Sequence, residues 1–203
     1  MARMTREETR EQTRERLLSA ARTVFARSGF GGASIDVIAE RAGYSRGAFY
    51  SNFASKEAIF LELLARHMEG EREAGRRIAA SSTDLDQIID ALAERYATDQ
   101  NDQDWCMLSV EFSLQEGRSP AFAEQAAELN AAHLGGAAEV VQRLCEVADA
   151  RGVDPRRAAA LFLAFRQGLA LAASGQAPQL TQSEIQKGLR LFMHALLAPE
   201  PRA

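Results

Sequence analysis

Cysteine, proline and long apolar runs are scarce in this chain of 203 residues, and each shortage excludes something. The two cysteines, Cys106 and Cys145, both sit in apolar company. They read as small core residues of a cytoplasmic protein, not as a disulfide framework. Charge interrupts every apolar stretch well before the roughly 20 residues that a membrane-spanning helix needs. The first eight residues, Met1 to Glu8, are charged and lack the apolar centre of a signal peptide. Alternating β-branched and aromatic runs between turn pairs are missing too, so strands are not expected. The three histidines, His67, His133 and His194, lie far apart. No Cys/His metal spacing or phosphate-binding loop accompanies them, so neither metal nor cofactor is expected. Gly29, Gly31 and Gly32 form half of a dinucleotide-binding turn, but no strand precedes them and Ser34 takes the last glycine's place. Without a convergent acid, base or nucleophile, an enzyme is not expected.

What is present is helix punctuation. Thr5 and Glu8 have capping-box spacing, and Leu17, Ala21, Val24 and Phe25 follow as an apolar stripe that Gly29 can end. Ser34, Ser45, Ser55 and Asp84 can cap four further helices, with Thr98 to Asp104 expected as a loop. A sixth helix from Trp105 to about Glu116 is apolar over most of its circumference. Ser119-Pro120 and Asp154-Pro155 pair a cap with proline at the first helical position, where its missing N–H costs nothing. The helix after Pro120 is expected to reach Arg151, with a bend at Gly135-Gly136. The one after Pro155 should end near Ser174-Gly175. Thr181 and Glu184 open a ninth. The expectation is an all-α chain of about nine helices.

Charge is uneven. The net charge is −4, yet residues 1–56 carry ten Lys and Arg against six Asp and Glu, a basic module on an acidic body. The informative stretch lies in that module. Ser34-Ile-Asp-Val-Ile-Ala-Glu-Arg-Ala-Gly-Tyr-Ser-Arg-Gly-Ala-Phe-Tyr-Ser-Asn-Phe53 reads as helix, glycine turn, helix. Ile38, Ala39, Ala42 and Phe49 can pack the two helices together, and Gly43 can take the left-handed turn conformation. Ser45 caps the second helix, whose free amides and dipole can face phosphate or base edges. Arg46, Gly47, Ala48, Tyr50 and Asn52 remain outward. They combine a bidentate donor suited to guanine, small residues permitting close approach, and polar groups for phosphate.

Residues 34–57 resemble the N-terminal signature of the TetR family of transcriptional regulators. The matching positions are Ser34, Ile38-Ala39, Ala42-Gly43, Ser45, Gly47, Phe49-Tyr50, Phe53 and Ser55-Lys56-Glu57. Tyr44 and Asn52 depart from the usual pattern, so operator sequence does not transfer. The resemblance implies an N-terminal helix-turn-helix domain over residues 1–55 and a helical ligand-binding and dimerisation domain over 56–203. It also implies a homodimer on a palindromic double-stranded DNA operator. By position, Ser34, Tyr50 and Lys56 would contact phosphates, Arg46, Gly47 and Ala48 would face bases, and Asn52 would touch either. Arg3, Arg6, Arg10 and Arg14 can add minor-groove or phosphate contacts or, in the favoured reading, pair with Glu7, Glu8, Glu11 and Glu15 on a solvated face.

For the body, the resemblance implies a small-molecule pocket and a dimer built from the last two helices. Trp105, Leu108, Glu111 and Phe112 on the sixth helix are the first pocket candidates, with His133, Phe162 and Gln167 as further ones. Leu161, Phe165 and Leu169 form one stripe, and Leu189, Phe192 and Leu196 another; together they suit an intersubunit four-helix bundle or an intrachain core. Three readings stay open: a repressor released by an apolar or aromatic effector, a ligand-independent DNA-binding regulator, and a helical enzyme or adaptor with an incidental hairpin.

Overall fold

A computed structural model describes residues 5–98, 100–173 and 179–198. The described residues form nine helices and no strand: α1 (Arg6–Gly32), α2 (Ile35–Ala42), α3 (Arg46–Tyr50), α4 (Lys56–Ala80), α5 (Leu85–Thr98), α6 (Gln100–Arg118), α7 (Pro120–Ala148), α8 (Pro155–Ala173) and α9 (Gln182–Leu197). The caps read from the sequence are formed. Thr5 and Glu8 close a capping box on α1, and Thr181 and Glu184 close one on α9. Asp84 accepts from the Gln87 amide at 3.2 Å, Ser119 from Phe122 at 3.4 Å, and Asp154 from Arg156 at 2.9 Å.

Four boundaries differ from expectation. The described residues of the stretch expected as a loop are helical instead: α5 runs through Thr98 and α6 begins at Gln100. Polar composition had suggested a loop there, but a polar segment can be helical when its neighbours carry the helix on. The helix α7 passes through Gly135 and Gly136 as one element and stops at Ala148. The helix α3 is a turn and a half and ends at Tyr50, short of Phe53. After Gly29, which breaks α1, the chain takes one more turn to Gly32. The expected end of α8 at Ser174-Gly175, the Arg3 reading and the Cys106 side chain lie outside the described residues. Cys145 is buried, as a small core residue should be.

The chain divides into two compact units. The first holds the residues up to His67 together with Leu108–Ala126, and the second holds Met68–Met107 together with the residues from Ala127 on. The core of the first is aromatic. Phe60 meets Phe25 edge-on with ring centres 5.1 Å apart, Phe30 lies 4.7 Å from Phe60, and Phe112 and Phe122 continue the cluster at 5.4 Å from each other. Aliphatic Leu17, Ile38, Ile59 and Leu64 complete it and are inaccessible to solvent. The second core joins Ile88, Ile89 and Leu92 of α5 to Leu144 of α7, Ala159 and Phe162 of α8, and Ile185 and Leu189 of α9. Gly136 lets α7 approach α4 closely, because a Cβ there would lie 2.5 Å from Arg72 Cδ.

Gly29 carries φ 66° and ψ 175°, a region that is essentially glycine's alone. Its missing Cβ also makes room for the Glu111 carboxylate, whose Oε2 accepts the Phe30 amide. Gly29→Ala should therefore lower stability by about 1–3 kcal/mol from backbone strain alone. The cost is read as a reduced denaturation midpoint in urea; an unchanged midpoint would mean that the break can be made by any residue.

Candidate nucleic-acid interface

The hairpin of α2 and α3 is assembled by its own local chemistry. Ser34 Oγ accepts the Val37 amide at 3.2 Å and Ser45 Oγ accepts the Ala48 amide at 3.2 Å, each capping its helix. Gly43 takes φ 78°, in the left-handed region, and its amide reaches Glu40 O at 3.0 Å while Tyr44 N reaches Ala39 O at 2.9 Å. Ile38, Ala39 and Phe49 are buried where the helices cross. This leaves Ser34, Ser45, Arg46, Gly47 and Tyr50 exposed on one module and Ala48 half-buried.

Arg46 is held but accessible. Its Nη1 donates to Asp36 Oδ2 at 3.0 Å and Oδ1 at 3.2 Å, its Nη2 reaches Tyr50 Oη at 3.4 Å, and its side chain is 60% exposed. Tyr50 and Asp36 together hold the guanidinium above its ordinary pKa. A pre-oriented fork with five donors is the group that reads guanine O6 and N7 in the major groove. Asp36 and half-exposed Val37, both on α2, were not among the residues singled out from the sequence. The signal for Val37 was an apolar residue turned roughly 100° away from buried Ile38 on α2.

Two cations, an amide and a carboxylate take roles that the sequence did not indicate. Lys56, read from the resemblance as a phosphate contact, donates to Phe30 O at 2.8 Å and Ala33 O at 3.0 Å and lies 4.4 Å over the Phe30 ring. It satisfies carbonyls at the end of α1. Asn52 turns inward, its Nδ2 donating to Ala48 O at 2.8 Å. Arg14 does not pair along its own helix: it donates to Asn52 O at 2.7 Å, pairs with Glu62 and lies 4.2 Å over the Phe53 ring. Glu15 likewise pairs across helices, with Arg66 at 2.7 Å. Partners on α4 win over neighbours on the same helix.

The pocket candidates separate. Phe112 and Leu108 belong to the core of the first unit, and Glu111 spends its carboxylate on the Phe30 amide. Trp105 is buried and counts with the second unit. None of these four lines the cavity found within the second unit, whereas His133 and Phe162 do. Gln167 is half-buried on α8 outside that wall. The wall is largely aliphatic (Leu92, Val140, Leu144, Leu163, Met193) and adds Tyr96, Glu71, Arg72 and Arg166. Glu71, Arg72, Tyr96 and Arg166 were missed in the sequence. Their signal was a carboxylate three residues after Met68 and an arginine four after Phe162, charges placed in apolar stripes.

The dimer candidates also divide. Leu189 is fully buried in the core of its own chain, which removes it from any partner's reach. Leu196 lines the cavity. Phe165 and Phe192 stack on each other at 4.1 Å and 17°, and Leu161 stands 49% exposed beside them on α8. Leu171 and Leu191, not anticipated, are 42% and 73% exposed.

Among the described residues, the capped hairpin of α2 and α3 with its exposed, oriented arginine has the geometry of a helix-turn-helix. Residues 17–63 match the family model described as bacterial regulatory proteins, tetR family. It is 36% identical over 87 residues to the HTH-type transcriptional activator FasR of Mycolicibacterium smegmatis, covering 43% of this chain and 40% of that one. To the HTH-type transcriptional repressor AcnR of Corynebacterium efficiens it is 32% identical over 112 residues, 54% of each chain. The chain thus matches about half the length, or less, of these two relatives. Among solved structures, a transcriptional regulator from Rhodococcus sp. Rha1 is 25% identical, with a TM-score of 0.72 over 91% of this chain and 95% of that one. Both curated relatives are named for control of transcription and not for a reaction.

Burial, and then the charge of Arg166, lower the His133 pKa from 6.5 to about 4. The imidazole is therefore neutral in the folded chain at pH values where the unfolded chain is already protonated. Stability from this site is complete above about pH 6.5 and is lost as the pH falls towards 4. Between pH 7 and 5 the loss should be about 2 kcal/mol, and His133→Gln should remove that part of the pH dependence. Urea unfolding at the two pH values checks it; equal losses in parent and variant would assign the acid sensitivity to other groups.

Proposed function

We propose that this protein is a dimeric transcriptional repressor that binds an inverted-repeat operator through α3 and is released by a small apolar or aromatic effector. The observation that carries the DNA reading is Arg46, exposed at the capped start of α3 and oriented by Asp36 and Tyr50. Gly47 beside it leaves the helix open to close backbone approach, and Ser34 and Ser45 hold helix N-termini whose amides suit phosphate. The domain division at residue 55 belongs to this reading: residues 1–55 bind DNA, and residues 56–203 bind the effector and the partner subunit. The effector reading rests on the cavity of the second unit. A site of this kind releases DNA only if its ligand binds the DNA-incompetent arrangement more tightly than the competent one. Ligand-independent regulation is the second reading, favoured only if no compound releases operator.

Selection from random double-stranded DNA should return an inverted repeat. Arg46→Ala should then cost about 1–3 kcal/mol of operator affinity and relax preference at one base position of each half-site. Equal affinity of parent and variant for operator and for random DNA would refute the assignment of α3 as the reading helix.

The dimer reading rests on the exposed leucines of α8 and α9, which a solvated monomer would leave against water. Because Leu191 is 73% exposed within its own chain, Leu191→Asp perturbs a partner contact and not the fold. Light scattering should show dimer for the parent and monomer for Leu191→Asp, with weakened operator binding because the half-sites are no longer linked. A variant that stays dimeric would move the interface to another face.

A further inference from the structure

The cavity of the second unit has an oily wall interrupted at one place by charge. Glu71, Arg72 and Arg166 line it, the Arg72 guanidinium being paired with Glu69. The Glu71 carboxylate is already engaged, by a short pair with Arg95 and by Arg166 at 3.8 Å. Arg166 is only 16% exposed and its guanidinium lies 5.1 Å over the Tyr96 ring, so its position is set by packing. Taking an ion out of water costs several kcal/mol even after relaxation, and a wall meant for a purely apolar compound would be more stable without these groups. A cationic ligand would meet Arg166 and Arg72 and would have to compete with two arginines for Glu71. An anion meets the positive side of the cluster. His133, on the same wall, is neutral at pH 7 and has one N–H to donate.

We propose that the effector is an amphipathic organic acid, its carboxylate set against Arg166 and His133 and its aromatic or aliphatic body along Leu92, Val140, Leu144 and Phe162. This rests on the reading of the cavity as the effector site and adds the charge of the ligand to it. The wall selects by charge: acid over alcohol over amine of the same skeleton.

The test uses the full chain and three probes of one skeleton, 4-phenylbutyrate, 4-phenylbutan-1-ol and 4-phenylbutylamine, titrated calorimetrically at pH 7. The acid should bind at least tenfold more tightly than the alcohol, and the amine should give no binding heat. Arg166→Met, which keeps most of the aliphatic stem, should weaken the acid at least tenfold and leave the alcohol unchanged. Arg166→Lys should restore part of the preference, and it serves if the methionine variant unfolds. The proposal is overturned if the amine binds as well as the acid, if Arg166→Met binds the acid like the parent, or if none of the three binds. Operator release is measured alongside. Acid binding without release would overturn the sensor reading and leave the ligand class standing. Release by the amine, or by the alcohol at concentrations as low as the acid needs, would keep the sensor and overturn the class.

Discussion

A helix that breaks inside a core exposes amides and carbonyls that water cannot reach, and the first unit is organised around that constraint at Gly29. The break leaves the Phe30 amide pointing at α6, where Glu111 accepts it, and leaves the Phe30 and Ala33 carbonyls to the ammonium of Lys56. One anion and one cation thus terminate α1 from opposite signs of its backbone. Either charge would be costly in so apolar a setting without these partners. Because Lys56 is also the first residue of α4, satisfying the end of α1 sets where α4 begins. The hairpin of α2 and α3 is suspended between these two points. Its far end is fastened as well, since Arg14 holds the Asn52 carbonyl and covers the Phe53 ring. The helix α3 is only five residues long and could not be stable alone, so its orientation is inherited from this frame.

The second unit meets the opposite constraint, a carboxylate where apolar side chains are required. Glu71 is 7% exposed and is balanced by Arg95 and Arg166. Around it Gly136 brings α7 close to α4, while Phe162, Val140 and Leu144 supply the apolar wall. Buried ion pairs of this kind contribute little net stability compared with packed hydrocarbon. Their value here is directional: they give an otherwise uniform cavity one polar end.

The two faces through which such a protein would act differ in kind. The residues proposed to face DNA on α3 are exposed, small or already oriented, so little ordering would be needed on binding. The helices α8 and α9 are different: Leu161, Leu171 and Leu191 are exposed in the single chain, and the stacked pair Phe165 and Phe192 is half-covered.

How much of this was legible in the sequence follows from the range of the interactions involved. Helix starts were legible, because a cap is a contact between residues two or three apart: Thr5 with Glu8, Ser45 with Ala48 and Thr181 with Glu184 formed as read. The helix-turn-helix was legible for the same reason, its glycine turn and its apolar crossing lying within 20 residues. The fate of long charged side chains was not. Lys56 and Arg14 found carbonyls 23 to 38 residues away, and Glu111 found an amide 81 residues away. Nor could an apolar stripe declare its partner. Leu189, Phe192 and Leu196 share one stripe, yet Leu189 is in the core, Leu196 lines a cavity and Phe192 stacks on Phe165. The periodicity of a helix records that a face is covered, and only the packing of the other helices decides by what.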